Sequence, residues 1–197
     1  MKKEIFYCAL AAGLLMSSCS QNSQPKEETT VEPAPTEEKT TRTNSRSSYS
    51  LSQEELAKLT LTFGFSIYST DNTLLYSKVY DWLGTPYLYG GTDKSGADCS
   101  GFICSIYREI YGKRLERQTC KIFSENCERI DKEELKEGDL VFFNTNGNTN
   151  ADPNYAGIYL KNGKFESMSS SKGVIISNLS SNYYTRNWVA GGRVTID

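Results

Sequence analysis

Helical and strand periodicities are segregated along this chain, and their order constrains the fold more than any other feature. From residue 51 to about 127, apolar positions recur at helical spacing; after residue 138 they fall into short β-rich runs separated by Asn, Gly and Ser. "LSQEELAKLT" begins with Leu51, and Ser52 with Glu55 three residues on is a capping-box pattern. Residues 72–83 place Leu75, Val79, Trp82 and Leu83 on one stripe, with Asp71 as candidate cap and Gly84 and Pro86 as stops. A third helix begins at Cys99 or Ser100, aligns Phe102, Ile103, Ile106 and Ile110, and ends at Gly112. A weaker fourth covers about 118–127. The runs 138–143, 156–162, 163–169, 173–179 and 190–197 then read as consecutive strands. Lys161-Asn162-Gly163-Lys164 marks a hairpin, because Asn-Gly accepts the positive φ angles of a two-residue turn. Helices first and antiparallel strands after is an α+β plan, with N-terminal helices packed on a mostly antiparallel sheet.

The segment before residue 51 cannot join that core. Residues 20–50 are Ser, Thr, Glu and Pro with almost nothing apolar, so they read as a disordered tether. Ahead of it, "MKKEIFYCALAAGLLMSSCS" has a basic start, a short apolar run and small residues before Cys19. The run is too short for a permanent span. "LLMSSC" resembles a bacterial lipobox, which implies cleavage after residue 18, acylation of Cys19 and a lipid anchor. The organisation expected is a signal peptide over 1–18, a lipidated Cys19 and tether over 19–50, and a folded domain over 51–197. This would be an exported bacterial lipoprotein of the cell envelope, at the outer membrane facing the periplasm.

Charge and cysteine usage narrow the chemistry. Lys+Arg is 22 against Asp+Glu 24, with no basic cluster, which gives no support for a nucleic-acid partner. The six cysteines are at positions 8, 19, 99, 104, 120 and 127, and their spacings match no zinc pattern. No metal or cofactor is expected. Cys104, Cys120 and Cys127 read as small buried residues. If helical, Cys120 and Cys127 lie about 10 Å apart, too far for a disulfide. The Asn/Asp-rich stretch after "GDLVFF" lacks an EF-hand spacing and reads as an inserted loop.

Cys99 is placed as a nucleophile would be. It follows the glycine-punctuated "GTPYLYGGTDKSGAD" and opens a helix, whose N-terminal N–H groups favour a thiolate and could hold an oxyanion. The alternative from spacing alone is a structural cysteine at a helix start. The chain contains no histidine.

"WLGTPYLYGGTDKSGADCSGFICSIYREIYG", with "LKEGDLVFF", "YAGIYLKNGKF" and "SSSKGVIISNL" after it, resembles the NlpC-type peptidoglycan endopeptidases, a papain-like cysteine peptidase family. The similarity runs from about Leu74 to Arg193. It implies a helix carrying the nucleophile, packed on a five- to six-stranded antiparallel sheet carrying the base. The family's substrates are the stem peptides of bacterial cell walls, typically cut between D-glutamate and a diamino acid. By residue, the resemblance puts the nucleophile at Cys99, with Asp98, Ser100 and Gly101 beside it, and Tyr87 and Tyr89 near it as substrate-binding candidates. The base position is Tyr155 and the residue orienting the base is Ser167. Tyr155 shares a strand face with Gly157 and Tyr159, and Ser167 one with Phe165, so strand alternation turns Glu166 away from Ser167. Asp152 lies in the loop before the strand. Arg193 resembles the family's C-terminal arginine, a structural ion-pair residue.

A phenol with an ordinary pKa near 10 is a poor base at neutral pH, and loss of general acid–base catalysis removes about 10²–10⁴-fold in rate. The expectation is a degenerate cysteine peptidase that binds stem peptides. Two alternatives are an active D,L-endopeptidase with an unconventional acid or base, and a regulatory interaction domain with a protein partner.

Overall fold

A computed structural model describes residues 50–196. Contacts divide the chain into residues 1–44 and 45–197, and every described residue lies in the second unit. The expected signal peptide, the expected acylation at Cys19 and nearly all of the expected tether fall outside the described residues.

Helix α1 (Gln53–Phe63) starts on the capping box read from sequence: Ser52 Oγ accepts from the Glu55 amide while Glu55 accepts from the Ser52 amide. It buries Leu56, Leu59 and Phe63. Helix α2 (Thr73–Trp82) is capped by Asn72, whose Oδ1 accepts from Leu75 N–H. Asp71, the expected cap, instead accepts from the Tyr68 amide and pairs with Lys161, whose ammonium also lies over the Phe65 and Tyr68 rings. A short antiparallel pair, β1 (Thr92–Asp93) and β2 (Gly96–Ala97), leads into α3 (Cys99–Tyr111). Gly112 ends α3 at φ 63°, a left-handed cap suited to glycine.

The expected fourth helix is broken. It consists of one turn, α4 (Thr119–Lys121), and a wider π-type turn over Ile122–Asn126. Cys127 instead opens a strand, β3 (Cys127–Ile130). Strands β4 (Leu140–Phe143), β5 (Tyr155–Ile158), β6 (Lys164–Ser169) and β7 (Gly173–Asn178) follow. A short helix, α5 (Asn182–Asn187), and β8 (Trp188–Val194) complete the order.

The strands form an antiparallel four-stranded sheet in the order β3-β8-β4-β5 and a two-stranded pair β6-β7. A Tyr159–Phe165 bridge joins them. The expected five or six strands are therefore present, divided four and two. The hairpin between β5 and β6 is the one the Asn-Gly pair requires: Asn162 at φ 54°, Gly163 at φ 71°, and Lys164 N–H donating to Lys161 C=O.

Helix α3 packs on one face of this sheet, with α2 against α3 and α1 against α2, and on that side Phe102, Ile103, Ile106, Leu140, Phe142, Ala156 and Ile158 are fully buried. The opposite face has its own cluster of Val141, Phe143, Phe165 and Leu179, with Tyr155, Tyr159, Tyr184 and Trp188 around it. Arg193 reaches from β8 to Asp139 through two hydrogen bonds of 2.9 and 2.6 Å, the ion pair expected of it. No helix among the described residues is long and apolar enough to cross a membrane.

Candidate functional site

The junction between the start of α3, the α4 turn and the β5–β6 edge opens into a cleft of about 730 Å³. Its lining includes Tyr87, Tyr89, Asp98, Cys99, Ser100, Thr119, Asn154, Tyr155 and Met168. Of the residues singled out from sequence, the structure brings Cys99, Tyr155, Tyr87, Tyr89, Asp98 and Ser100 together here. Gly101 and Ser167 do not line the cleft.

Asp98 is the N-cap of α3 and its oxygens are saturated. They accept from the amides of Gly101 and Gly90, from Ser100 Oγ and from both terminal nitrogens of Arg117, the latter at 2.8 Å each. Burial pushes the carboxyl up, but Arg117 and the two amides outweigh it and hold Asp98 ionised, below its ordinary value. Arg117 also donates to Ser100 Oγ at 2.6 Å. Sequence reading missed Arg117. Nothing in the pattern of residues 112–118 distinguishes it from other surface cations, and only the fold brings it to Asp98.

Gly101 matters through closeness. A Cβ there would stand 2.0 Å from the Gly91 carbonyl oxygen, so the glycine-rich loop can lie on the helix only if residue 101 has no side chain.

Cys99 is a half-buried free thiol at the first residue of α3. Its Sγ lies 3.8 Å from Thr119 Oγ1. Burial pushes the thiol above its ordinary value. The Ala156 amide and the Thr119 hydroxyl pull it down, and the Asp98 charge pushes it up again. The result is a neutral thiol at neutral pH.

Tyr155, expected from the resemblance at the base position, donates from its hydroxyl to the Met168 carbonyl at 2.6 Å. Burial drives its ionisation far above the usual phenol range. The Ser167 hydroxyl opposes it only in part. Ser167 itself is fully buried and pairs with Ser177 Oγ at 2.7 Å, on the face away from α3. Asp152 is exposed and stays out of the cleft.

Strand alternation turns Glu166 and Met168 toward α3. Cross-strand partners Ile176 and Val174 belong to the α3-side core, whereas Phe165 belongs to the opposite cluster. Glu166 is 1% exposed, and neither carboxyl oxygen has a hydrogen-bond partner. Burial holds it protonated, well above the ordinary carboxylate range.

The remaining cysteines are less buried than expected. Cys104, Cys120 and Cys127 are half-buried free thiols, and Cys120 lines the cleft. Among the described residues no cluster of His, Cys, Asp or Glu could hold a metal ion.

Taken together, the cleft presents a protonated thiol, a protonated phenol committed to a backbone carbonyl, and an aspartate with its lone pairs occupied. No lining side chain stands ready to take the Cys99 proton.

Residues 84–193 match the model of the NlpC/P60 family. The probable endopeptidase NlpC homolog of Haemophilus influenzae is 38% identical over 120 residues, which are 61% of this chain and 61% of that protein. The murein DD-endopeptidase MepS/murein LD-carboxypeptidase of Escherichia coli K12 is 32% identical over 189 residues, covering 94% of this chain and 89% of its own length. The crystal structure of an NlpC/P60 family protein from Bacillus cereus superposes with a TM-score of 0.56 at 29% identity, over 61% of this chain and 39% of that one.

Proposed function

This chain belongs to the NlpC/P60 family, and from that premise we propose that it is a degenerate cysteine peptidase that binds peptidoglycan stem peptides without hydrolysing them at a useful rate. Relatives named as murein endopeptidases support a cell-wall substrate. The observation that carries the loss of hydrolysis is the proton inventory of the cleft. Cys99 keeps its proton, and Tyr155 stands where the family's base is expected and donates to Met168. Amide cleavage needs a thiolate and then a proton for the leaving nitrogen, and one acid–base group normally does both.

Binding is a separate matter. The cleft is open, with Tyr87 and Tyr89 exposed at its rim and Asn154 and Thr119 offering polar edges. Such a site can hold an extended peptide without chemistry. In this reading Cys19 is acylated after signal cleavage, and the domain hangs by its tether from the outer membrane, facing the periplasmic wall.

The test incubates the full chain with purified muropeptides and reads products by mass spectrometry beside a binding titration. Binding without cleavage is the expected result, with weaker binding after Tyr87→Ala and Tyr89→Ala. Cleavage that disappears in Cys99→Ala would replace this reading with that of an active endopeptidase. Absence of binding would favour a regulatory partner. Cys19→Ala is expected to release the protein from the membrane fraction.

A further inference from the structure

Acceptors in the cleft are largely spent, and donors are left over. Asp98 is the one carboxylate among the described residues that line it. Its two oxygens accept from the Gly90 and Gly101 amides, Ser100 Oγ and both terminal nitrogens of Arg117. A carboxylate offers about four lone-pair sites, so none remains for a ligand. Two carbonyls beside it are engaged as well. Met168 C=O accepts from Tyr155, and Gly91 C=O accepts from the Asp98 amide and from Arg117.

The side-chain amides of the lining are oriented to the same effect. Asn154 Oδ1 accepts from the Thr145 amide at 2.9 Å and from the Thr145 hydroxyl at 3.1 Å. A backbone N–H can only donate, so this contact fixes which end of the Asn154 amide is oxygen and leaves its nitrogen to the cleft. Gln118 turns Oε1 to the Cys120 thiol, 4.0 Å away, and keeps its amide nitrogen in the same way.

Charge points in the same direction. Arg117 and Asp98 cancel in number but not in exposure: the arginine side chain is 41% exposed and the aspartate 13%. A ligand therefore meets the positive end of the pair. An ammonium group entering here finds no free carboxylate lone pair. A carboxylate finds N–H donors and a favourable charge.

We propose that the cleft selects its ligand by a carboxylate presented beside Cys99 and disfavours an ammonium group there. The identity of that ligand as a stem peptide rests on the proposed function; the selectivity is a property of the cleft and is tested without a wall ligand. The carboxylate has two possible sources, the peptide's C-terminus or an internal acidic residue.

The experiment uses Cys99 as a reporter in the full chain. Two methanethiosulfonate reagents are compared, one ending in a sulfonate and one in a trimethylammonium group. Reaction at Cys99 is resolved from the other thiols by peptide mass spectrometry. The ratio of the two rates, divided by the same ratio for N-acetylcysteine, cancels thiolate fraction and intrinsic reactivity. A normalised ratio of at least about five in favour of the sulfonate is expected, the effect of one unit charge a few ångströms away in a solvated site. It should fall toward one in about 1 M salt. Asn154→Asp keeps an acceptor for Thr145 on an exposed residue and replaces the donor with an anion, so it should bring the ratio to one or below. Arg117→Gln should do the same more strongly, with thermal unfolding to show that it is folded. A wild-type ratio of one or less, or one that salt leaves unchanged, overturns the proposal.

Binding titrations then compare one stem peptide in three forms: all carboxyls free, only the C-terminal carboxyl amidated, and only the internal carboxyls amidated. Amidation of the carboxylate that is read should weaken binding about tenfold, what one charge-assisted hydrogen bond supplies. Equal binding of all three overturns the proposal and leaves the functional reading standing. Binding of none refutes the functional reading, and the reagent ratio alone then decides the selectivity.

Discussion

The Tyr155 hydroxyl donates a 2.6 Å hydrogen bond to the carbonyl oxygen of Met168. The phenol thus commits its one proton to the backbone of the next strand, and Cys99 beside it gains no acceptor. Removing that hydroxyl should therefore leave the thiol unmoved. Tyr155→Phe is expected to keep the pH profile of Cys99 alkylation within about twofold of wild type, and to lower stability by about 1 kcal/mol through the orphaned carbonyl. A tenfold fall in alkylation rate would show that Tyr155 takes part in Cys99 proton transfer.

Glu166 should make the fold less stable as pH rises. Its folded-state pKa is raised, with burial as the main cause, so the unfolded chain gives up the proton first. The favourable contribution is complete below about pH 4.5 and is lost progressively above it. Glu166→Leu is expected to gain about 1–3 kcal/mol at pH 7 by removing an unsatisfied buried acid, and less at pH 4. Thermal melts at the two pH values check this; an equal gain at both would remove titration of Glu166 from the account.

Asp98 acts with the opposite sign. Its folded-state pKa is lowered because Arg117 and two amides outweigh burial, so its contribution is present above about pH 4 and lost as pH falls further. Asp98→Asn keeps a capping oxygen but loses the charge that Arg117 holds from two sides. The expected cost at neutral pH is about 1–3 kcal/mol, shrinking as pH falls through the lowered folded-state pKa. Denaturant titrations at pH 7 and pH 2.5 give the comparison.

Gly101→Ala tests the close approach of the loop to α3. With the Gly91 carbonyl oxygen 2.0 Å from the new Cβ, the loop bearing Tyr87 and Tyr89 must move off the helix. A cost of about 2–3 kcal/mol or more is expected, equivalent to roughly 5–10 °C in Tm for a domain of this size, together with weaker muropeptide binding. A neutral substitution would mean that the loop is displaced freely.

What the residues fixed locally was readable before any coordinates. The Ser52 box, the Asn162-Gly163 turn and the Gly112 stop each depend on atoms within a few positions of one another, so their chemistry lies in the string itself. The same holds for the α3 stripe, where Phe102, Ile103 and Ile106 meet the sheet as their spacing requires. Short elements fared worse. The fourth helix shrank to an α turn and a π-type turn, and Cys127 left it for β3 because β8 offers Cys127–Ile130 a ladder of backbone partners, a long-range pairing that outweighs weak local propensity. Helix α5 has no apolar stripe to announce it, and Asn72 displaced Asp71 as a cap because Lys161, 90 residues on, claims the aspartate.

The site divides along the same line. Sequence alone determined that no imidazole exists and that a cysteine opens a helix after a glycine-rich loop, and the resemblance pointed to Tyr155 for the base position. It could not determine the ionisation of any of them, because pKa is set by what surrounds a group and not by what precedes it. Only the tertiary structure joined Arg117 to Asp98, turned the Tyr155 proton toward Met168, and enclosed the Glu166 carboxyl on the α3 side of the sheet. Strand alternation gave its direction, but burial and the absence of partners belong to the packed interior, where desolvation decides which proton stays.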